Sequence, residues 1–476
     1  MPLKCSTARK EQSTTSPGKL WVPHHYQKQA VNFLLERPQS GLFLDPGMGK
    51  TSTVLDVLTD VKGPTLIIAP LRPCHMVWPA EIGKWSQFAR LSYTVLHGKD
   101  KDERASEKHD IYIINPDGLE WLTTQHAGLV ERCKNLVVDE SSQFKYTNTK
   151  RFKLLKPFLQ GFKRRHILTG TPAPNGIGDL FGQMYLLDSG ASLGRYVTHF
   201  RNKYFYQAGY GGYDWTPFDW APEAIYDAIA PFVLRLSAED HLDLPELVTN
   251  TITVRLPFKA QRVYSEVERS LFAILEEGLS VEAVNKAVAW GKCRQIANGG
   301  VYATEADGRV AGNLHYEKAD AVKDLANELQ GEQLLVLYEF EHDKERLLEV
   351  LGKDTPVLGG SSIKKDKALE VAWNERRVGG PVLAHPKAIG HGLNMQAGGH
   401  HVVWHSIPVD FELYDQTIKR LHRQGQKAGR VFVHHIVAEG TLDETVVETL
   451  AGKERTQDAL FNALKLKAKG AHNYES

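Results

Sequence analysis

Between residues 42 and 171 the chain alternates short apolar runs with segments of helical periodicity. The runs GLFL (41–44), PTLIIAP (64–70), LSYTVLHG (91–98), DIYIIN (110–115), NLVVDE (135–140) and RHILTG (165–170) are too short for helices. They are rich in Ile, Val and Leu, and most are bounded by Pro, Gly, Asn or Asp, as strands of a parallel sheet covered on both faces are. Helical stretches lie between them, at 51–59 and 78–88. A second alternating region begins near residue 315: helix 318–329, strand QLLVLYEF (333–340), helix 344–351 and strand PVLAHP (381–386). Strand HHVVWHS (400–406), helix 413–423 and strand RVFVHHIVA (430–438) complete it. The middle of the chain reads differently, with an aromatic run, YFYQAGYGGYDWTPFDW (204–220), and a mainly helical stretch over 260–299. A helical tail from 442 ends in the basic KLKAKGAH, and no internal repeat is visible. The pattern predicts an α/β protein with two lobes and a helical insertion between them.

At 476 residues the chain is long for one core, and two or three domains are expected. The 58 Lys and Arg against 57 Asp and Glu leave a formal charge of +1, so any binding of a polyanion must come from a local basic groove. Cys5, Cys74, Cys133 and Cys293 show no Cys-x-x-Cys spacing, which argues against a disulfide framework or zinc ribbon and for a reducing cytoplasm. No apolar run approaches the roughly 20 residues that span a bilayer. Residues 1–20 lack the apolar segment of a signal peptide and read as a flexible polar tail. The expectation is a cytoplasmic protein with no membrane partner.

The candidate chemistry begins at GLFLDPGMGKTSTVLDVL (41–58), where Gly and Pro separate a strand-like run from a helix-like one. Gly47-Met48-Gly49-Lys50-Thr51 is a Walker A core, in which backbone N–H groups and a helix N-terminus cradle a phosphate and Lys50 supplies a point charge. Asp139 and Glu140 follow an apolar strand of the same lobe. Two acids there could serve only as a helix cap. Behind a Walker A element they suit Mg²⁺, with Asp139 and the Thr51 hydroxyl on the metal and Glu140 polarising the attacking water. In YDQTIKRLHRQGQ (414–426), Gln416, Arg420 and Arg423 are spaced by four and three, on one face of the predicted helix. That face is either a solvated basic stripe or a pair of arginine fingers contributed by the second lobe, which would make hydrolysis depend on lobe closure.

This ordered set resembles the superfamily-two helicase-like ATPases, and among them the Swi/Snf-type DNA translocases, from about residue 26 to about residue 450. HHYQKQAVNFLL (24–35) resembles the adenine-reading segment, with Tyr26 and Gln27. LDPGMGKT (44–51) is similar to the family P-loop in its last five positions, which places Gly47, Met48, Gly49, Lys50, Thr51 and the adjoining Ser52 at the nucleotide together with Gln416; Leu44, Asp45 and Pro46 depart from the pattern. APLRPCHMVWPAEIGKW (69–85) resembles the next motif, in which Arg72 touches a DNA phosphate. LTGTP (168–172) resembles the motif that couples the ATP and DNA sites through Thr169, Gly170 and Thr171. HPKAIGHGLNMQ (385–396) resembles a Gly-x-Gly-x-Asn motif carrying Lys387, Gly390 and Asn394, and RLHRQGQ matches the arginine motif. Further DNA-contact candidates are His97, Gly98, Asn115 and Ser361. DESS stands where the family has Asp-Glu-x-His, so Ser142 weakens the expected bond between the metal and coupling motifs; SIP (406–408) replaces Trp-Asn-Pro.

The resemblance implies two RecA-like parallel-sheet lobes in tandem. It divides the chain into a tail (1–20), a first ATPase lobe (21–235), a linker and helical protrusion (236–312), a second lobe (313–450) and a C-terminal helix with basic tail (451–476). It further implies a monomeric ATPase using ATP and Mg²⁺, moving on double-stranded DNA and acting on DNA-bound protein or reannealing strands. A strand-separating DNA or RNA helicase and an ATP-gated DNA clamp are the other readings. The aromatic run 204–220 would either stack on bases or pack upon itself. So small a motor, without accessory modules, points to a bacterium or a bacteriophage.

Overall fold

The computed structural model describes residues 19–208, 214–277, 283–302, 310–359, 363–389 and 393–454. Ser361, Gly390, Cys5, most of the N-terminal tail and the basic C-terminal stretch lie outside these residues.

Two parallel sheets organise the chain. In the first, the strands run in the spatial order Tyr93–Val95, Ile111–Ile114, Thr65–Ile68, Asn135–Asp139, Arg164–Thr169, Gln39–Leu44 and Val233–Leu236. The Ile, Leu and Val runs leave these strands buried on both faces. Along Gln39–Leu44, Leu42 and Leu44 enter one core cluster while Phe43 enters the other. The second sheet runs Glu246–Val254, Arg430–Ala438, His401–Trp404, Leu334–Leu337, Pro381–Ala384 and Val357–Leu358, also flanked by two apolar clusters. These are the two α/β, RecA-like lobes in tandem.

The interval 236–312 is more than a linker and protrusion. Its Glu246–Val254 segment pairs in parallel with Arg430–Ala438 over nine residues and forms an edge of the second sheet. Its polar sequence reflects that edge position, where most of the strand faces water. Two helices, Phe258–Glu277 and Ala283–Ala297, form the protrusion. Its root is fastened to the second lobe by an ion pair from Arg294 to Glu339 and by Arg294 Nη2 donating to the Ile407 carbonyl at 2.7 Å. The aromatic run forms an antiparallel hairpin, Phe205–Ala208 with Asp214–Pro217. Tyr206 packs on Phe218 and Phe218 stacks on Trp220, while Tyr206 and Trp220 also keep an exposed face.

The predicted helix over 413–423 is shorter, spanning Phe411–Ile418. The Arg420 carbonyl accepts from Met395 N–H at 3.3 Å, and the backbone tightens into three-residue turns from Thr417 to Arg420 and from Ile418 to Leu421. Gln416 therefore sits on the helix, whereas Arg420 and Arg423 sit in the turn after it. The helix predicted over 78–88 spans Trp78–Lys84. Cys74, Cys133 and Cys293 are buried free thiols.

One glycine fixes how the first lobe presents its acidic loop. Gly182, on helix Leu180–Asp188, lies so close to the turn Ser141–Phe144 that a Cβ there would stand 2.4 Å from the Phe144 and Lys145 carbonyl oxygens. Backbone cannot yield as a side-chain tip can. We expect Gly182→Ala to destabilise the chain by about 1–3 kcal/mol, read as a lower thermal midpoint; an unchanged midpoint would show that the contact is loose.

Candidate functional site

The C-terminal ends of strands Gln39–Leu44, Asn135–Asp139 and Arg164–Thr169 converge, as ligand-binding ends of parallel sheets do. After Leu44 the chain turns through Asp45 and Pro46, and Gly47 and Gly49 adopt φ values of 89° and 77° that only glycine takes readily. Helix Lys50–Asp60 then begins with its N-terminus facing the turn. The Lys50 ammonium donates to the Leu44 carbonyl at 2.7 Å. Burial lowers its pKa, against the pull of Glu140 and Asp139. Gln27 closes the loop from the other side: it accepts from His24 N–H at 2.9 Å and donates to the Met48 carbonyl at 3.2 Å. A Cβ at Gly49 would meet Gln27 Nε2 at 2.3 Å, so a side chain there would push the Gln27 amide aside.

Asp139 and Glu140 form the acidic wall. Asp139 accepts from Trp78 Nε1 at 3.0 Å and from Glu140 N–H at 3.2 Å. Burial and the Glu140 carboxylate push its pKa up to about 6, with Lys50 pulling it down. Burial likewise raises Glu140, against Lys50 and Arg420. Glu140 has φ 52°, the left-handed region that a non-glycine residue occupies only when its surroundings impose it. Its Oε2 atom is buried and has no hydrogen-bond partner among the described residues. Thr169 Oγ1 accepts from Thr171 N–H at 3.0 Å, and Gly170 lies against the Pro46 ring, so the segment 169–171 abuts the phosphate loop.

The second lobe supplies the opposite wall. Arg423 packs over Gly47, where a Cβ would stand 3.1 Å from Nη2, and it donates to Asn394 Oδ1 at 2.6 Å. Arg420 donates to the Leu393 carbonyl at 3.4 Å; burial and the neighbouring Arg423 lower its pKa to about 10, so it stays a cation at neutral pH. Between the walls lies a cavity of about 470 Å³ that Gln27, Gly47, Gly49, Lys50, Thr51, Ser52, Asp139, Glu140, Arg420 and Arg423 all line. That volume suits a nucleotide.

Other expected residues fall elsewhere. Tyr26 is buried between His24 and His241, and the Met48 side chain is fully buried; neither lines the cavity. Gln416 is buried against Glu412, at 3.2 Å, and also stands apart from the cavity. Ser52 donates to Glu81 at 2.8 Å. Asn394, expected at DNA, lines this cavity instead, with Arg423 holding its side chain. Arg72, expected at a DNA phosphate, crosses to the second lobe instead: it pairs with the buried Asp366 carboxylate at 2.9 Å and donates to the Ala388 carbonyl. His97, Gly98 and Lys387 are exposed, and Asn115 is buried.

The sequence reading missed Trp21, Glu81, Trp85 and Gln396, which also line the cavity. Glu81 accepts from both Ser52 and Trp85. Trp85 and Glu81 lie in the quoted segment 69–85, but nothing local marks them as facing the cleft. Asp45, one of the departures from the family pattern, ties the phosphate loop to both lobes: Arg235 reaches it at 2.8 Å and Lys419 at 3.8 Å. Those cations hold its pKa at about 2 although burial opposes them.

Comparison with known proteins accords with this geometry. The SNF2-related domain model matches residues 26–298. Protein p41 of Acyrthosiphon pisum secondary endosymbiont phage 1 is 35% identical over 471 residues, covering 94% of this chain and 100% of that protein. The Bacillus subtilis protein YwqA is 24% identical over 94% of this chain, and the DNA annealing helicase and endonuclease ZRANB3 of Homo sapiens is 25% identical over 93%. The chain spans only 50% and 40% of those two proteins. With more than half its length matched by the family model and a full-length relative at this identity, the chain belongs to the SNF2-related family and is a helicase-like ATPase.

Proposed function

We propose that the chain hydrolyses ATP in the interlobe cleft and uses the cycle to move along double-stranded DNA by its phosphate backbone. The observation that carries this reading is the opposition, across one cavity, of Lys50, Asp139 and Glu140 from one lobe to Arg420 and Arg423 from the other. A triphosphate there would rest on the Gly47–Gly49 turn and the N-terminus of helix Lys50–Asp60, with Lys50 exchanging its carbonyl partners for phosphate oxygens. Two adjacent buried carboxylates whose proton affinity burial raises fit a divalent cation, and Asp139 with Thr51 would hold Mg²⁺ jointly with the phosphates. Bound there, the metal would neutralise charge on the phosphates. Glu140, with its unpartnered Oε2, would orient the attacking water.

Because the arginines come from the second lobe, hydrolysis reports on closure, and closure moves whatever each lobe grips. Contacts to phosphates position without reading sequence, which suits movement along any duplex. Arg72 would serve there by exchanging Asp366 for a DNA phosphate, with His97, Gly98, Asn115 and Lys387 as further contacts. ZRANB3, a relative over nearly the whole chain, bears the name of an annealing helicase, which favours acting on duplex or reannealing strands over opening them. A DNA-bound protein would be the obstacle displaced. No helix of the described residues is long and apolar enough to cross a membrane.

ATP turnover measured side by side with duplex DNA, single-stranded DNA and RNA tests this reading. Duplex DNA should stimulate turnover by at least about tenfold over the free protein, with little effect of the others. Stronger stimulation by single strands would favour strand separation, and no stimulation would leave an ATP-gated clamp.

A further inference from the structure

We propose that Glu412 is a positioning residue for hydrolysis, clamping the second lobe to the loop that carries Glu140 through the Ser142 hydroxyl. The proposal rests on the cleft reading above. Glu140 is followed by two serines that face opposite ways. Ser141 Oγ donates to Gln183 Oε1 at 2.8 Å, and Gln183 Nε2 donates to the Pro172 carbonyl at 2.6 Å, so this serine is tied to the first lobe beside the segment 169–171. Ser142 Oγ instead donates across the cleft to Glu412 Oε1. The same oxygen accepts from Gln416 Nε2 at 3.2 Å, one helical turn on. The left-handed turn at Glu140 is thus pinned from both lobes, and the second pin closes only when the lobes meet.

The clamp and the arginines share one segment. Glu412 is in the first turn of helix Phe411–Ile418, capped by Asp410, and Arg420 and Arg423 follow in the turn beyond. A single approach of this segment would deliver both arginines to the phosphate side and the carboxyl to Ser142. Where the family pattern has a histidine, a short hydroxyl here would leave a gap that the Glu412 side chain spans. Burial and the facing Glu140 push the Glu412 pKa up to about 8, with Asp410 adding to the rise and Ser142 and Lys145 opposing it. A neutral acid in this place bonds Ser142 without setting a second charge against Glu140.

The test measures steady-state ATP hydrolysis by the full-length protein with Mg²⁺ and duplex DNA. Ser142→Ala and Glu412→Ala should each lower kcat by about tenfold or more with KM for ATP nearly unchanged. The double variant should be no slower than the worse single one. Glu412→Gln, which keeps a neutral acceptor of the same shape, should recover most of the turnover lost in Glu412→Ala. Turnover within about twofold of wild type in Ser142→Ala overturns the clamp, and this small change stands as the test even if Glu412→Ala does not fold. Additive losses, or no recovery with Gln, also overturn it. A wild-type protein inactive on every nucleic acid would instead defeat the underlying ATPase reading, whatever the variants do.

Discussion

Replacing Glu140 with Gln should lower kcat for ATP by at least about a hundredfold while leaving nucleotide binding and the fold in place. The substitution is isosteric, so the turn held by Ser141 and Ser142 keeps its shape. It also removes a carboxylate whose pKa burial raises. A carboxyl with a raised folded pKa costs stability that sets in above its unfolded value of about 4.3 and grows as pH climbs toward its folded one. The Gln variant should therefore melt at the wild-type temperature or slightly above it. Lys50→Ala offers the contrast. It removes the cation closest to the phosphate turn, so ATP binding should weaken together with turnover. A fluorescent nucleotide titration beside a phosphate-release assay separates the two cases. Wild-type turnover in Glu140→Gln would refute the role given to the acidic wall; wild-type turnover in Lys50→Ala would remove the phosphate cradle.

Whatever depended on short-range order was legible in the sequence. The turn at 45–49 declares itself because glycine is needed at Gly47 and Gly49 for backbone reasons, with a lysine at the helix start. The acidic pair stood out because it ends an apolar strand of the same lobe. Strand identity was readable wherever both faces are buried. It was unreadable at Glu246–Val254, where an edge position admits polar residues and the pairing partner lies 184 residues away. The helix end at Ile418 was hidden for a similar reason: the bond from Met395 to the Arg420 carbonyl that stops the helix comes from another loop. Pairings across the cleft were hidden altogether. Arg72 carries the motif of a phosphate contact, yet its partner here is Asp366, 294 positions on. Ser142 looked like the loss of a bond, and only the fold brings it the carboxyl 270 residues later that makes up for it. Asp45 looked like a departure from a pattern until Arg235 and Lys419 closed around it.

Arg420→Ala should reduce kcat by about a thousandfold and change ATP affinity far less. The guanidinium sits in a buried site beside a second arginine, and both features lower its pKa without discharging it at neutral pH. Placing two such cations together is unfavourable until an anion arrives between the walls, so their attraction is spent on the negative charge that builds at the phosphate during transfer. Arg420→Lys should rescue little, because an ammonium is a point charge without the planar fork that spans two oxygens. Arg423→Ala should add a second effect. It removes the contact over Gly47 and frees Asn394, loosening closure as well as chemistry. Single-turnover hydrolysis with saturating ATP and duplex DNA isolates the chemical step from product release. If Arg420→Ala keeps more than about a tenth of the wild-type single-turnover rate, Arg420 does not contribute its charge to the reaction. Dependence of hydrolysis on lobe closure would then have to rest on Arg423 and the Glu412 clamp.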